Sequence, residues 1–397
     1  MWGPAPAPPT LRGVVLPDQY SAVDAIEAVG DGAQGQVWRV QRTEDGVGSG
    51  TVLALKVCPR TCGNDAQRWA MEARIMETLM RAPHENVVAV LDAPVVTPTS
   101  GCVAMELYPM DLVTVLQRWV QEAHTPKTED GSLTAPRLSP VAGLPVDVVA
   151  SLLLQCAAGL DHCARLGVFH MDVKPENVCL ASDGRAKLLD FGCGLMVDVD
   201  GDVKTQDLPR NACPTATACK PGSTVMYRAP ETASGLVLYD VVAADVWSLG
   251  LTTLVCLAAQ PLWMREDARW ALWQTLWDGE MHPVADSGFE RVCRDANRDG
   301  TPVSTLAEGH LVVRAVLDSM VHHLLVDLGM QGLCGGADPH LLRIIVLMLC
   351  PVPRCRPSLL QLLCDPWLQK VKASPAAMRP KKLVPDPRGA IADDLKP

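Results

Sequence analysis

The sequence predicts an α+β chain of two lobes, a small β-rich N-lobe with one helix and a larger, mainly helical C-lobe. Three observations lead there. Strand-like runs crowd the early part of the 397 residues, helical patterns dominate later, and 48% of the side chains are hydrophobic against 20% charged. That composition buries a core and does not stay unfolded. At roughly 150 residues per domain the length admits two or three compact units.

Taken in order, residues 1–20 carry prolines and alanines without a period and are expected as a flexible segment. Strands are expected over 22–29, 36–42, 52–58, 87–96 and 102–107, where apolar and β-branched residues gather between turn signals. One helix interrupts them over 65–80, with Trp69, Ile75, Met76 and Leu79 forming its apolar stripe. The N-lobe then spans 21–106, a connector 106–111, and the C-lobe 112–370. Within the C-lobe, 121–144 is polar and proline-containing and reads as an inserted surface loop. The apolar stretches 249–259 and 341–352 are about a dozen residues each, short of the roughly 20 that span a bilayer, so core helices and no membrane insertion are expected. Residues 278–338 look long and weakly patterned, and read as a loop or as an insert for a docking partner. The segment 371–397, rich in Pro, Lys, Arg and Asp, is expected as a flexible tail. No internal repeat is visible.

Forty-five acidic against 35 basic side chains leave a net charge of −10, which argues against a nucleic-acid partner. The 15 cysteines are odd in number and lack paired metal-type spacing. They read as reduced thiols of an intracellular protein, cytoplasmic or nuclear. Neither a signal peptide nor a myristoylation site is readable at Met1–Pro9, where Trp2 follows the first residue.

The first pattern that carries chemistry is Gly30, Gly32 and Gly35, spaced GxGxxG and followed by Val37. A dinucleotide fingerprint of this spacing opens a helix. Here residues 36–42 mix Val and Trp with polar side chains and run into Glu44-Asp45-Gly46, so strand, loop, strand fits better. Glycines in such a loop let backbone N–H groups approach phosphate oxygens; an ordinary glycine-rich hairpin looks the same. Lys56 lies in the apolar strand LALKV, where a lysine is rare unless paired, and Glu72 on the next helix is its expected partner. The bland alternative is a snorkelling lysine and a solvated glutamate. Further on, His170, Asp172, Lys174, Asn177 and Asp190 sit among apolar strand-like runs, an arrangement that packing alone does not require.

At this point the sequence resembles the eukaryotic-type protein kinase family, serine/threonine branch. VFHMDVKPENVCL at 168–180 and LLDFG at 188–192 are followed in family order by Ala229-Pro230-Glu231, DVWSLG at 245–250 and Arg356-Pro357. The likeness covers about 22–368. It implies transfer of the γ-phosphate of ATP, with Mg²⁺, to serine or threonine hydroxyls of protein substrates. By motif position it puts Gly30, Gly32 and Gly35 over the phosphates and Lys56, held by Glu72, on the α and β phosphates. Asp190 and Asn177 would ligate Mg²⁺, Asp172 would accept the substrate hydroxyl, and Lys174 would offset charge on the moving phosphate. Met105 falls at the gatekeeper position, the Glu106 carbonyl and Tyr108 N–H at the adenine edge, and Val37, Ala54 and Cys179 around the purine. Met76, His170 and Phe191 match an internal apolar stack, equally explained as core. Asp111 either reaches the ribose or caps a helix. Glu231 and Arg356 match a buried ion pair, and Asp245 a carboxylate that accepts catalytic-loop N–H groups. Lys174 and Thr224 are the marks of the serine/threonine branch.

One departure stands out. Met171 occupies a place where many relatives carry an arginine that receives a phosphate on the activation segment, and methionine binds no anion. Activity is therefore expected to depend little on phosphorylation of the segment 190–231. The rivals to the enzyme reading are a pseudokinase acting as a scaffold and a small-molecule kinase of related fold.

Overall fold

Alternation and continuous apolar runs set the first sheet. In the computed structural model, which describes residues 16–17, 19–22, 28–32, 35–42, 52–59, 64–97, 100–124, 143–197, 224–233, 239–259, 288–322, 324–325 and 337–372, six strands form the N-lobe. These are β1 (Tyr20–Ala22), β2 (Ala28–Gly32), β3 (Gly35–Arg42), β4 (Val52–Pro59), β5 (Val95–Val96) and β6 (Ser100–Met105), paired antiparallel in the order β1-β3-β4-β6-β5 with β2 also on β3. β3 alternates, with Trp38 and Val40 buried and Arg39 exposed. β4 lies between β3 and β6 and is buried from Leu53 through Cys58, as expected of an apolar central strand. Helix α1 (Asn64–Arg81) buries Trp69, Glu72, Ile75, Met76 and Leu79 at helical spacing. The Trp69 ring takes the space where a Cβ on Gly101 would stand, 2.1 Å from the nearest ring atom, so α1 packs flush on β6 only because residue 101 is glycine.

The C-lobe begins with β7 (Met110–Asp111), α2 (Leu112–His124) and α3 (Val146–Arg165). Two small ladders follow, β8 (Val168–Phe169) with β11 (Leu195–Met196), and β9 (Val178–Leu180) between β10 (Ala186–Leu188) and β7. Then come α4 (Pro230–Ala233), α5 (Val241–Ala258), α6 (Phe289–Asp299), α7 (Val303–Gly309), α8 (Leu311–His322), α9 (Pro339–Met348), α10 (Leu359–Leu363) and α11 (Pro366–Lys372). By length and composition α3 and α5 are apolar enough to cross a membrane, and 72% and 94% of their apolar stretches are buried in the C-lobe. α5 is its central post, packed by α3 and α9.

Two expectations are corrected, and a third is met at its ends: of the strand expected at 22–29, Ala22 lies in β1 and 28–29 in β2, while 23–27 lie outside the described residues. The one expected at 87–96 survives only as β5, preceded by single bridges from Val87 to Leu188 and from Val90 to Met105. Its hydrogen bonds are divided between the lobes, since the Val88 N–H donates to Leu188 O at 2.9 Å while the Leu91 N–H donates to Ala104 O at 2.9 Å; Pro94 also removes a donor. Residues 289–322 are not a loop but helices α6 to α8, whose Phe289, Cys293, Val313 and Leu317 are built into the C-lobe core. The loop expected at 121–144 starts later, since 121–124 belong to α2; the expectations for 1–15, 125–142, 278–287, 326–336 and 373–397 lie outside the described residues.

Candidate active site

The loop from β8 to β9 carries the centre, and α5 holds it from below. Asp245 is buried, and its carboxylate accepts the N–H groups of His170 at 2.8 Å and Met171 at 2.7 Å. These bonds fix Met171 in the left-handed region, φ 63°, a conformation a non-glycine residue keeps only when its surroundings impose it. Burial pushes the Asp245 carboxyl up to about 6, although His170 and the two N–H donors pull the other way. His170 is fully buried. Its Nδ1 accepts the Asp172 N–H at 3.3 Å and its Nε2 lies 2.8 Å from Leu189 O, so the ring links the loop to the segment leading to Asp190.

Two polar clusters converge there. In the first, Asp172 Oδ2 meets Lys174 Nζ at 2.8 Å and Asn177 Nδ2 at 3.2 Å, while Oδ1 accepts the Thr224 N–H at 2.7 Å. Lys174 Nζ also donates to Thr224 Oγ1, and Asn177 Nδ2 to Asp172 O at 2.8 Å. Burial works against the charged lysine, but Asp172 beside it raises the Lys174 pKa above its ordinary value. In the second, Lys56 Nζ lies 2.5 Å from Glu72 Oε1 and 2.7 Å from Asp190 Oδ1. Lys56 and Glu72 are both 4% exposed. Burial opposes the lysine charge, yet Asp190 and Glu72 hold its pKa well above normal. Burial likewise opposes the Asp190 charge, and Lys56 overcomes it to bring that carboxyl to about 2. One cation between two carboxylates leaves a surplus negative charge, and of the two carboxylates Asp190 is the partly exposed one.

Asp190 sits at φ 60° and its Oδ1 also accepts the Gly192 N–H at 3.2 Å. Asp190 and Asn177 offer hard oxygens, the ligand class of Mg²⁺. Among the described residues no group of three His, Cys, Asp or Glu could hold a metal ion unaided. An ion there needs phosphate and water oxygens to complete its shell, which is how Mg²⁺ prefers to bind.

The glycine pattern lies on the β2–β3 hairpin, with Gly30 opposite Val37 and Gly32 opposite Gly35, and it opens no helix. Gly35, at φ 145°, passes so close to β4 that a Cβ would stand 2.6 Å from Val57 O. Val37, Ala54, Met105, Tyr108 and Cys179 belong to one apolar cluster drawn from both lobes, together with Met76 and Phe191. Phe191 is fully buried with its ring 4.6 Å from that of His170. Past the end of β6, Glu106 is exposed and its N–H is taken by Ala89 O at 2.9 Å, while the Tyr108 hydroxyl donates to Glu106 Oε2 at 3.2 Å. Asp111 caps α2, its Oδ1 accepting the Thr114 N–H at 2.6 Å. Of the two readings of Asp111, this geometry supports the cap.

Below the centre, Arg356 grips Glu231 with both guanidinium ends, at 2.6 and 2.8 Å, donates to Cys350 O and Ala243 O, and lies 4.6 Å from the Trp247 ring centroid. Arg356 is 2% exposed, so Glu231→Gln strands a buried charge and is expected to lower unfolding free energy by about 3 kcal/mol, read by chemical denaturation. A loss under about 1 kcal/mol would show the carbonyls alone satisfy the guanidinium.

Two contacts escaped the sequence reading. Thr224 is bonded to both Asp172 and Lys174, and Cys58, two residues beyond Lys56, lies with its Sγ 3.7 Å from Glu72 Oε2. Strand alternation carried the signal for Cys58, because i and i+2 share a face. Met171 packs against the apolar cluster of Ala164, Phe169, Leu195 and Val241.

A family model described as protein kinase domain matches residues 23–368. Cyclin-dependent kinase-like 2 of Rattus norvegicus is 33% identical over 124 residues, 31% of this chain and 22% of that protein. A probable serine/threonine-protein kinase of Arabidopsis thaliana is 27% identical over 247 residues, 62% of this chain and 36% of its own. A serine/threonine-protein kinase of Saccharomyces cerevisiae is 28% identical over 156 residues, 38% and 26%. These matches thus span 22% to 36% of the relatives' own lengths.

Proposed function

The chain belongs to the protein kinase domain family, and from that premise we propose that it transfers the γ-phosphate of ATP to serine or threonine hydroxyls of protein substrates. The observation that carries the reading is the pair of polar clusters, Glu72–Lys56–Asp190 and Asp172–Lys174–Asn177, tied together by the buried His170 ring, which bonds the Asp172 N–H and Leu189 O beside Asp190. Phosphoryl transfer asks a protein for positioning and charge neutralisation more than for covalent chemistry, and these residues supply both. In this reading Lys56, steadied by Glu72, binds the α and β phosphates under the glycine hairpin. Asp190 and Asn177 hold Mg²⁺, which would neutralise phosphate charge. Asp172 accepts the acceptor hydroxyl and orients it, while Lys174 faces the transferred group. Val37, Ala54, Met105 and Cys179 enclose the purine, with backbone at Glu106 and Tyr108 on its edge.

The test is transfer of labelled γ-phosphate from ATP with Mg²⁺ to a library of Ser/Thr peptides, against tyrosine-only peptides and small hydroxyl compounds. Labelling of Ser/Thr peptides alone supports the reading; nucleotide binding without transfer leaves the scaffold rival standing.

Regulation follows from Met171. Its side chain binds no anion and packs with the apolar cluster of Phe169, Leu195 and Val241, whereas charge-assisted bonds to arginine are what usually order a phosphorylated loop. Phosphatase-treated enzyme is expected to keep most of its rate. A tenfold fall, about 1.4 kcal/mol in the barrier, would mean another cation has taken the role.

A further inference from the structure

We infer that Cys58 is a positioning residue for the phosphate-binding lysine, its thiol holding the Glu72 oxygen that Lys56 leaves free. The inference rests on the reading of Lys56 and Glu72 given above. Cys58 lies two residues after Lys56 on β4, so both side chains project from the same face toward α1. Its Sγ is 3.7 Å from Glu72 Oε2, while Lys56 Nζ takes Oε1 at 2.5 Å. The carboxylate is therefore gripped at both oxygens.

The thiol has little freedom to do anything else. Cys58 is 5% exposed and packs in the cluster of Trp69 and Met76. It also closes the space above Gly35, where a Cβ would stand 3.2 Å from its Sγ. One side chain thus touches the glycine hairpin, β4 and α1. Burial, and then Glu72, push the thiol up from its ordinary pKa, so it stays protonated and is the donor of this bond. A thiol is a weak donor, but a charged acceptor in dry surroundings strengthens the bond.

The geometry gives the bond a consequence. Lys56 has a second carboxylate, Asp190, at 2.7 Å. If Glu72 turns away, the lysine closes on Asp190 and offsets the charge needed for the metal. Holding Oε2 keeps Glu72 in place and leaves Lys56 shared.

The test compares Cys58→Val, Cys58→Ala and Cys58→Ser in the full chain. Valine keeps apolar volume without a donor, serine keeps a donor without the volume. Valine and alanine are expected to lose about fivefold to tenfold in kcat/KM for ATP with the peptide KM unchanged, and serine to recover most of what valine loses. The Kd of Mg²⁺–ATP, measured separately by calorimetry, is expected to weaken in the same order. An order that follows volume, with valine equal to wild type and serine as poor as alanine, overturns the inference, as do four indistinguishable proteins. If the four proteins bind nucleotide in this order but wild type transfers no phosphate, the transferase reading fails and the role of Cys58 stands. A wild type that does not bind nucleotide overturns both.

Discussion

Lys56→Met is expected to lower phosphate transfer by at least about a thousandfold while the far-ultraviolet spectrum stays that of a folded protein. The methionine keeps an unbranched apolar stem at this buried position and removes the charge. Glu72 and Asp190, now without the cation at 2.5 and 2.7 Å, then repel each other and the incoming phosphates. The cost in stability is that of stranding Glu72, which is 4% exposed, about 3 kcal/mol or more. The C-lobe core around α5 does not depend on this pair, so folding persists with a lower Tm. Asp190→Asn should be equally inactive for a different reason. It keeps an oxygen that can accept the Gly192 N–H, but removes the charge that Lys56 holds ionised down to about pH 2. Activity in either variant within tenfold of wild type would sink the assignment of this cluster.

What the sequence made legible was whatever chain neighbours could carry. The loop from His170 to Asn177 and the segment at Asp190 were readable because their polar residues interrupt apolar strands at fixed short spacing. Lys56 stood out for the same reason, a charge in a strand buried from Leu53 to Cys58. The helical character of 289–322 was missed although the stripes are present, Phe289, Cys293 and Ala296 on α6, then Val313, Leu317 and Met320 on α8. Each stripe covers only two or three turns, and Gly300, Pro302 and Gly309 break the pattern between them. Segment 87–96 misled for the opposite reason. Its valines have strand propensity, but its partners lie in two lobes, which no local period encodes. Asp245 could be matched by motif order, yet its bonds to His170 and Met171 join residues 75 and 74 positions apart and had to be seen in three dimensions.

Asp172→Asn separates chemistry from nucleotide binding more cleanly than any change at Lys56. In the structure both carboxylate oxygens of Asp172 are engaged: Oδ1 takes the Thr224 N–H, and Oδ2 takes Lys174 and Asn177. All three partners are donors. An asparagine must turn its own NH₂ toward one of them, so a donor meets a donor and the side chain or Thr224 shifts. Whichever oxygen remains is neutral and accepts a substrate hydroxyl weakly. Proton acceptance by a positioned group is commonly worth about a hundredfold to ten-thousandfold, and a fall in kcat within that range is expected. The apolar cluster of Val37, Ala54, Met105 and Cys179, proposed to enclose the purine, is untouched, as is the Lys56 pair. The Kd for Mg²⁺–ATP should therefore stay within about twofold of wild type while kcat collapses, the signature of an interaction made in the transition state and not in the nucleotide complex. Parallel losses in kcat and nucleotide affinity would place Asp172 on the nucleotide, and the hydroxyl-accepting role would have to move to another residue.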